Sequence, residues 1–199
     1  MRINRRNLLK RGAAGTALLA MPNVIPSALH AAPWIKKNKT IKVGVLFSTT
    51  GGLAVIENDS TQVTLYAIDE INAAGGVAGM EVEPVVVDAK SDIKVYSEKI
   101  SQLILRDRVV ATFGGYTSAS RRAVAPIIMK RNHLFYYPTC YEGRECTQNI
   151  VCTGPLANQH SFDLIPFMVK EFGPKVYLIG SNYIWPKESN KNAKEWLRR

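Results

Sequence analysis

Glycine, hydroxyl and aromatic residues are concentrated in four short segments of the sequence: residues 48–52 (STTGG), 114–118 (GGYTS), 137–139 (YPT) and 181–186 (SNYIWP). Aromatic rings can sandwich a small planar molecule, while hydroxyls and backbone N–H groups bind its heteroatoms. The composition of these segments therefore predicts a binding site for a small, planar, polar ligand.

Residues capable of catalysis do not form a recognisable motif in this sequence. It contains no G-x-S-x-G, H-E-x-x-H or G-x-x-x-x-G-K-[ST] pattern, and His30, His133 and His160 are far apart along the chain. The glycine-rich residues 75–79 precede a predicted strand instead of following one, so we interpret them as a turn and not as a nucleotide loop. We expect a protein that is not an enzyme and that binds neither cofactor nor metal.

The three cysteines, Cys140, Cys146 and Cys152, are spaced six residues apart. An odd number leaves at least one free thiol; a disulfide between Cys140 and Cys146 is one prediction, and three free thiols is the alternative. Nucleophilic catalysis by Cys140, as in an amide-hydrolysing enzyme, is disfavoured because the nearby Glu142 and Glu145 would raise the pKa of its thiol.

The four segments lie between predicted strands and helices, which determine their positions in the fold. Strands are predicted at residues 42–47, 82–87, 109–113, 134–136 and 176–180. Helices are predicted at residues 63–71, 118–130 and 158–172, with one more helix that begins at about Asp92 and a last one that follows residue 186 and continues to Arg199. Strands alternating with helices form βαβ units, so the predicted fold class is α/β with a doubly wound parallel sheet. Ligands of such sheets bind beyond the carboxyl ends of the strands, where the four segments fall.

Several of these residues also have a purely structural interpretation. The Gly114-Gly115 pair is compatible with a tight turn, and Ser118 with the N-cap of its helix. Tyr136 is predicted to face the core and Tyr137 the pocket, because neighbouring strand residues point to opposite faces. The Arg121-Arg122 pair is predicted to lie on a solvated helix face, the alternative being an ion pair with an acidic residue of a crossing loop.

The net charge of +10 is concentrated at the start of the chain. Residues 1–39 carry eight Lys or Arg and no acidic residue, while the rest of the chain holds 18 basic and all 16 acidic residues. The body of the protein is thus nearly neutral, so we expect no nucleic-acid partner. A composition with 46% hydrophobic and 21% charged residues also excludes a disordered chain.

Residues 1–32 have the pattern of an export signal. Arg5-Arg6-Asn7-Leu8-Leu9-Lys10 lies in a basic start, the mildly apolar residues 12–21 follow, and the whole resembles the twin-arginine signal S/T-R-R-x-F-L-K. The apolar run is too short and too rich in Gly and Ala to span a membrane. We predict a periplasmic protein exported by the twin-arginine translocase, the alternative being a basic, disordered tail.

Ordered motifs between residues 113 and 190 resemble a known family. They are residues 113–124 (FGGYTSASRRAV), 137–143 (YPTCYEG), Asn149-Ile150, Thr153-Gly154, Asn158-Gln159 and 180–190 (GSNYIWPKESN). They look like the substrate-binding proteins of urea and short-chain amide ABC transporters, and equally like the amide sensor that controls the aliphatic amidase operon. The resemblance implies a type I periplasmic-binding-protein fold, in which two α/β lobes close on the ligand.

The resemblance also implies a ligand site. Carried over residue by residue, that pocket uses Tyr116, Ser118, Tyr137 and Thr139, and from the second lobe Tyr183 and Trp185. The family more often has Tyr at the position of Trp185, and Cys or another residue at the position of Gly115.

The implied organisation is a signal peptide over residues 1–32, a first, incomplete α/β lobe over 33–153 and the start of a second lobe over 154–199. The implied function is an exported receptor that passes urea or a small neutral amide to a membrane permease. Two alternatives stay open. One is a cytoplasmic amide-sensing regulator, which would have no use for an export signal; the other is a branched-chain amino acid receptor, in which Ser118 and its helix start bind a carboxylate.

Overall fold

A parallel sheet organises the part of the chain that the computed structural model describes, residues 40–198. Its five strands are β1 (Thr40–Phe47), β2 (Glu81–Asp88), β3 (Ala111–Gly114), β4 (Leu134–Tyr137) and β5 (Ile150–Cys152). They lie in the order β2-β1-β3-β4-β5, and every neighbouring pair is parallel. The predicted signal segment, residues 1–32, lies outside the described residues.

Helices connect the first four strands of this sheet. The helices are α1 (Ala54–Ala73), α2 (Ile93–Leu105), α3 (Ser118–Arg131), α4 (Ala157–Ser161), α5 (Leu164–Phe172) and α6 (Ile184–Leu197). Parallel neighbours need a crossover connection, and α1, α2 and α3 supply it between the first four strands. The predicted α/β fold class with a parallel sheet is therefore confirmed.

Apolar side chains pack on both faces of the sheet, because successive residues along a strand point to opposite faces. Leu46 packs with the buried side chains of α2 and α3, including Ile100 and Ile128. Its neighbours Val45 and Phe47 point to the opposite face and pack with a second cluster that includes Ile68 of α1. Packing on both faces accounts for the continuous apolar run of β1, in which residues 43–47 are all buried.

N-cap residues fix the start of the helices that follow the loops at the carboxyl edge of the sheet. Asp92 caps α2 by accepting hydrogen bonds from the backbone N–H groups of Lys94 and Val95. Thr117 caps α3 in the same way, with its Oγ1 accepting from the Ser120 N–H at 3.0 Å. These caps set where each helix begins and hence which residues remain in the preceding loop.

The helix predicted over residues 158–172 is divided into α4 and α5. Pro166 lies in the first turn of α5 and has no N–H to donate to the carbonyl of Phe162. Its ring would also clash with that carbonyl in a continuous helix, whereas proline is tolerated in a first turn. The break at residues 162–163 follows from this single residue.

The strand predicted over residues 176–180 is absent from the described structure, and that prediction is wrong. A strand needs a neighbouring backbone to take up its N–H and C=O groups, and no described backbone hydrogen bond involves this segment. Tyr177 and Ile179 are 89% and 84% exposed. The apolar pattern that suggested a strand has no partner strand among residues 40–198.

Gly114 allows β3 to approach β1 at the edge that carries the site. A Cβ at this position would lie 2.0 Å from the carbonyl oxygen of Leu46, which is itself bound by the Gly115 N–H at 3.0 Å. We expect Gly114→Ala to lower the free energy of unfolding by about 1–3 kcal/mol, because the two strands must separate. Chemical denaturation measures this change.

Gly52→Ala is the matched control, since a Cβ at Gly52 meets nothing within 4 Å. We expect Gly52→Ala to change the stability by no more than about 0.5 kcal/mol, as for most surface substitutions. Equal stabilities of the two variants would contradict the close approach at Gly114.

Candidate functional site

A cavity of about 150 Å³ lies at the carboxyl edge of the sheet. It is lined by hydroxyl, aromatic and thiol side chains: Tyr116, Thr117, Ser118, Thr139, Cys140, Tyr183 and Trp185. These residues come from the β3–α3 loop and the start of α3, from the segment after β4, and from the start of α6. The structure thus brings together five of the six predicted ligand residues, Tyr137 being the exception.

The β3–α3 loop presents Tyr116 and Ser118 to the cavity. Gly115 adopts φ 81°, a left-handed conformation that suits glycine and turns the chain sharply after β3. Because Thr117 is the N-cap, Ser118 is the first residue of the helix and its hydroxyl is not used for capping. The structural alternative of Ser118 as N-cap is therefore wrong.

Two hydroxyls from β4 and the segment after it hold this loop in place. The Tyr137 hydroxyl donates to the carbonyl oxygen of Tyr116 at 2.6 Å. The Thr139 hydroxyl donates to the carbonyl oxygen of Gly115 at 3.1 Å. The backbone next to the cavity is consequently fixed from the neighbouring strand.

The prediction that Tyr136 faces the core and Tyr137 the pocket is wrong. Tyr137 is fully buried in the cluster beneath α2 and α3, and this burial raises the pKa of its hydroxyl. Tyr136 points to the other face, where its ring stacks on Phe113 at 4.8 Å between centroids. Alternation along the strand was expected correctly, but the sequence does not determine which face the first residue takes.

A buried ionic network lies beside the cavity. The Arg121 guanidinium donates through Nη2 to Glu142 at 2.9 Å and through Nε to Glu145 at 3.1 Å. Its carbon Cζ lies 5.0 Å from the centre of the Tyr137 ring and 5.5 Å from that of Tyr141. Arg121 is only 1% exposed, so the prediction of a solvated position is wrong for this residue, and the alternative of an ion pair with a crossing loop is what the structure shows.

Ser118 belongs to the same network. Its hydroxyl donates to Oε2 of Glu142 at 2.8 Å, while Oε1 of Glu142 accepts from Arg121 and from Arg122 at 3.2 Å. Burial alone would raise the pKa of Glu142, but the hydrogen bond from Ser118 and the positive charge of Arg121 lower it overall. Glu142 is therefore an ionised carboxylate at neutral pH.

The three cysteines are free thiols in the structure, so the predicted disulfide between Cys140 and Cys146 is not formed there. Cys140 lines the cavity, whereas Cys146 is exposed and its Sγ lies 3.7 Å from the carbonyl oxygen of Arg144. Burial raises the pKa of Cys152 to about 11, which keeps this thiol protonated.

The STTGG segment is used to join two loops and does not line the cavity. The Asp88 carboxylate accepts from the backbone N–H of Thr49 at 3.0 Å and from the Thr50 hydroxyl at 2.6 Å. The Ser48 N–H donates to the buried carboxylate of Glu57 at 2.6 Å, and Tyr96 donates to the same carboxylate oxygen. The Thr50 hydroxyl and the backbone N–H groups of Ser48 and Thr49 thus have structural partners.

The site residues that sequence reasoning missed are Thr117, Cys140 and Glu142. Thr117 and Cys140 each adjoin a predicted ligand residue, and their position in the same two loops was the available signal. The role of Glu142 depends on where residues 138–149 cross α3, which no local pattern reveals. Within residues 40–198 we find no cluster of three metal-ligating side chains, and no described helix is long and apolar enough to cross a membrane.

The family of the chain is established by comparison with known proteins. Residues 41–199 match the model of the periplasmic binding protein domain. The chain therefore belongs to the periplasmic binding protein domain family.

Curated relatives include two proteins of Brucella. The Leu/Ile/Val-binding protein homolog 7 of Brucella melitensis is 28% identical over 140 residues, which are 68% of this chain and 35% of that protein. The Leu/Ile/Val-binding protein homolog 8 of Brucella abortus is 30% identical over 138 residues, 67% of this chain and 34% of that protein. The matched region thus spans about a third of the length of these relatives.

Solved structures agree on the fold. The branched-chain amino acid transporter substrate binding protein LivJ of Streptococcus pneumoniae, in complex with isoleucine, superposes with a TM-score of 0.72 at 25% identity and covers 79% of this chain and 46% of that one. A solute binding protein of an ABC transporter from Rhodopseudomonas palustris, in complex with 3,4-dihydroxybenzoic acid, gives 0.69 at 23% identity, covering 80% and 44%. The predicted type I periplasmic-binding-protein fold is thus confirmed.

The ionic network makes the stability of the protein depend on acid pH. The pKa values of Glu142 and Glu145 are lowered in the folded state from an ordinary value of 4.5. Their stabilisation is therefore fully present above about pH 4.5 and is lost as the pH falls through the lower folded values. We expect the free energy of unfolding to fall below pH 4.5 less steeply in Glu142→Gln than in the wild type, as measured by denaturation at a series of pH values.

Glu171→Gln serves as the control for that series, because Glu171 is an exposed residue of α5 outside the network. Its slope should match that of the wild type. If the free energy of unfolding of Glu142→Gln depends on pH as it does in the wild type and in Glu171→Gln, Glu142 contributes nothing to the acid sensitivity.

Proposed function

We propose that this chain forms part of a solute-binding receptor of an ABC transporter, and that its cavity takes urea or a short-chain amide. Family membership supports the receptor function. The observation that carries the ligand class is the lining of the cavity, whose seven residues all have uncharged side chains. A neutral ligand needs no compensating charge, whereas a buried charged ligand does.

The size of the cavity supports a small ligand. A cavity of about 150 Å³ is comparable to one that holds a benzene molecule. Urea and acetamide are smaller than benzene, and leucine is larger. The rings of Tyr116, Tyr183 and Trp185 offer flat apolar surfaces to a planar amide, and Ser118 and Thr139 offer hydroxyl oxygens.

A branched-chain amino acid is the second candidate. It is favoured by the names of the Brucella relatives, which are Leu/Ile/Val-binding protein homologs, and by the isoleucine bound to LivJ of Streptococcus pneumoniae. The start of α3 beside Ser118 also supplies backbone N–H groups of the kind that bind a carboxylate. Leucine is larger than acetamide, so the relative affinities of the two ligands distinguish this candidate from the first.

Binding measurements separate these ligand classes. We expect isothermal titration calorimetry on the purified chain to detect binding of acetamide or urea with a Kd on the order of tens of micromolar, and weaker binding of leucine. Each ligand atom contributes at most about 1.5 kcal/mol, so a ligand this small must use nearly every polar contact. Ser118→Ala should therefore weaken acetamide binding by about 1–3 kcal/mol.

Ser97→Ala is the matched control for this measurement. The Ser97 hydroxyl donates to the carbonyl of Ile93 within α2, away from the cavity. Its removal should leave acetamide binding unchanged. Tight binding of leucine with none of acetamide, formamide or urea would instead establish the amino acid receptor.

We also propose that the receptor acts in the periplasm and delivers its ligand to a membrane permease. The paired arginines of the leader favour twin-arginine export over the alternative of a cytoplasmic regulator. We propose a binding protein and not an enzyme, since the cavity lining carries no His, Lys, Asp or Glu to act as a general base beside Cys140.

Export is tested by replacing Arg5 and Arg6 with lysine, which keeps the charge of the leader and removes the paired arginines. We expect the double variant to accumulate in the cytoplasm while the wild type reaches the periplasm, as measured by cell fractionation and immunoblotting. Lys36→Arg is a control outside residues 1–32. Wild-type export of the double variant would contradict the twin-arginine route.

A further inference from the structure

We propose that Glu142 is a positioning residue that determines which ligands the cavity accepts, because it fixes the Ser118 hydroxyl as a hydrogen-bond acceptor towards the cavity. The cavity would then select a ligand that presents an N–H group at this wall over a matched ligand that presents an oxygen acceptor. This inference rests on the proposed function, since it assumes that the ligand binds in the cavity beside Ser118.

The contacts of Glu142 require the hydroxyl proton of Ser118 to point to its carboxylate. Oε1 of Glu142 receives two guanidinium donors, Arg121 at 2.9 Å and Arg122 at 3.2 Å. An ionised carboxylate can only accept, so the contact of 2.8 Å between its Oε2 and Ser118 Oγ must use the hydroxyl proton of Ser118. The carboxylate side chain is 3% exposed and the Arg121 side chain 2%, so water does not compete for this contact.

A hydroxyl has one proton and two acceptor lone pairs. Because the Ser118 proton is directed to Glu142, only its lone pairs are left for a ligand, and no described group donates to Ser118 Oγ. Thr139 has the same polarity, since its proton is directed to the carbonyl oxygen of Gly115 at 3.1 Å. Two hydroxyls of the cavity therefore offer acceptors, which match the NH₂ group of an amide and not the oxygens of a carboxylate.

The test reverses the polarity of Ser118 without changing the shape of the network. In Glu142→Gln the amide oxygen must face Arg121 and Arg122, because an amide NH₂ there would oppose two donors. The NH₂ group of the glutamine then lies against Ser118 Oγ and donates to it. Ser118 must accept from this group and direct its own proton to the cavity.

Acetamide and acetate are the matched ligands, since they have the same shape and differ in an NH₂ group against an oxygen. We expect the wild type to bind acetamide at least about tenfold more tightly than acetate, the ratio that one hydrogen bond accounts for. Glu142→Gln should reduce this preference by about tenfold or more, as measured by calorimetry.

Glu145→Gln controls for the loss of charge. Glu145 also pairs with Arg121, at 3.1 Å, but does not contact Ser118. Both variants remove one negative charge beside the cavity and should improve acetate binding to a similar extent for that reason. An equal change of the acetamide to acetate ratio in the two variants would overturn the inference and leave the receptor function intact.

A second measurement needs no ligand. The groups that contact Glu142 are Ser118, Arg121, Arg122 and Asn192, the last through the backbone carbonyl at 3.3 Å. If Ser118 donates to the carboxylate, Ser118→Ala must raise the pKa of Glu142, as followed by NMR titration of its carboxyl carbon. The control is Ser120→Ala, since the Ser120 hydroxyl donates to the Thr117 carbonyl at 2.8 Å and not to Glu142.

The two measurements separate failure of the inference from failure of the proposed function. If the wild type binds none of acetamide, formamide and urea, the proposed ligand class is wrong, and the titration alone decides the polarity of Ser118. A Glu142 pKa that is unchanged or lowered in Ser118→Ala would overturn the inference whatever the ligand is.

Discussion

The buried ion pair between Arg121 and Glu142 is the interaction on which the geometry of the cavity depends. Arg121 lies in the first turn of α3, and Glu142 lies in the long connection between β4 and β5. Transferring two charges into the interior is costly unless they pair closely and their remaining hydrogen-bonding groups are occupied. Here the carboxylate is surrounded by two arginines and a serine, so the connection is fixed at the start of the helix.

The ion pair couples the 138–149 connection to β4 and to the β3–α3 loop. The aromatic rings of Tyr137 and Tyr141 flank the guanidinium, and the Tyr137 hydroxyl holds the carbonyl of Tyr116 in the next loop. A shift of the 138–149 connection would therefore change the core contacts of β4 and the position of the β3–α3 loop together. Breaking a buried pair by removing one partner typically costs about 3–5 kcal/mol, so the ion pair opposes such a shift.

The parts of the fold that the sequence could predict are those with local signals. Apolar β-branched runs and helical periodicity identified the first four strands and α3, and the loops after β3 and β4 identified most of the cavity residues. The burial of Arg121 could not be predicted, because an arginine on a helix is usually solvated unless it is paired. Its environment is created by Glu142, Tyr137 and Tyr141, which lie outside its helix.

The errors at Tyr137 and at residues 176–180 have a common origin. Which face of β4 is covered by α3 is a tertiary property, and a run of apolar residues forms a strand only when another strand lies beside it. A local sequence pattern indicates neither the covered face of a strand nor the presence of a partner strand. Pro166 is the contrasting case, because its effect on the helix is covalent and was present in the sequence from the start.

Trp185 gives the cavity an optical property of its own. Its indole lies in the wall, whereas Trp196 packs edge-on against Phe162, with ring centroids 6.4 Å apart, away from the cavity lining. Indole emission depends on the polarity around the ring, so a solute that displaces water from the cavity changes the fluorescence of Trp185, while Trp196 and Trp34, the latter outside the described residues, also contribute to the total emission. Occupancy of the cavity can thus be followed by light from the unlabelled protein.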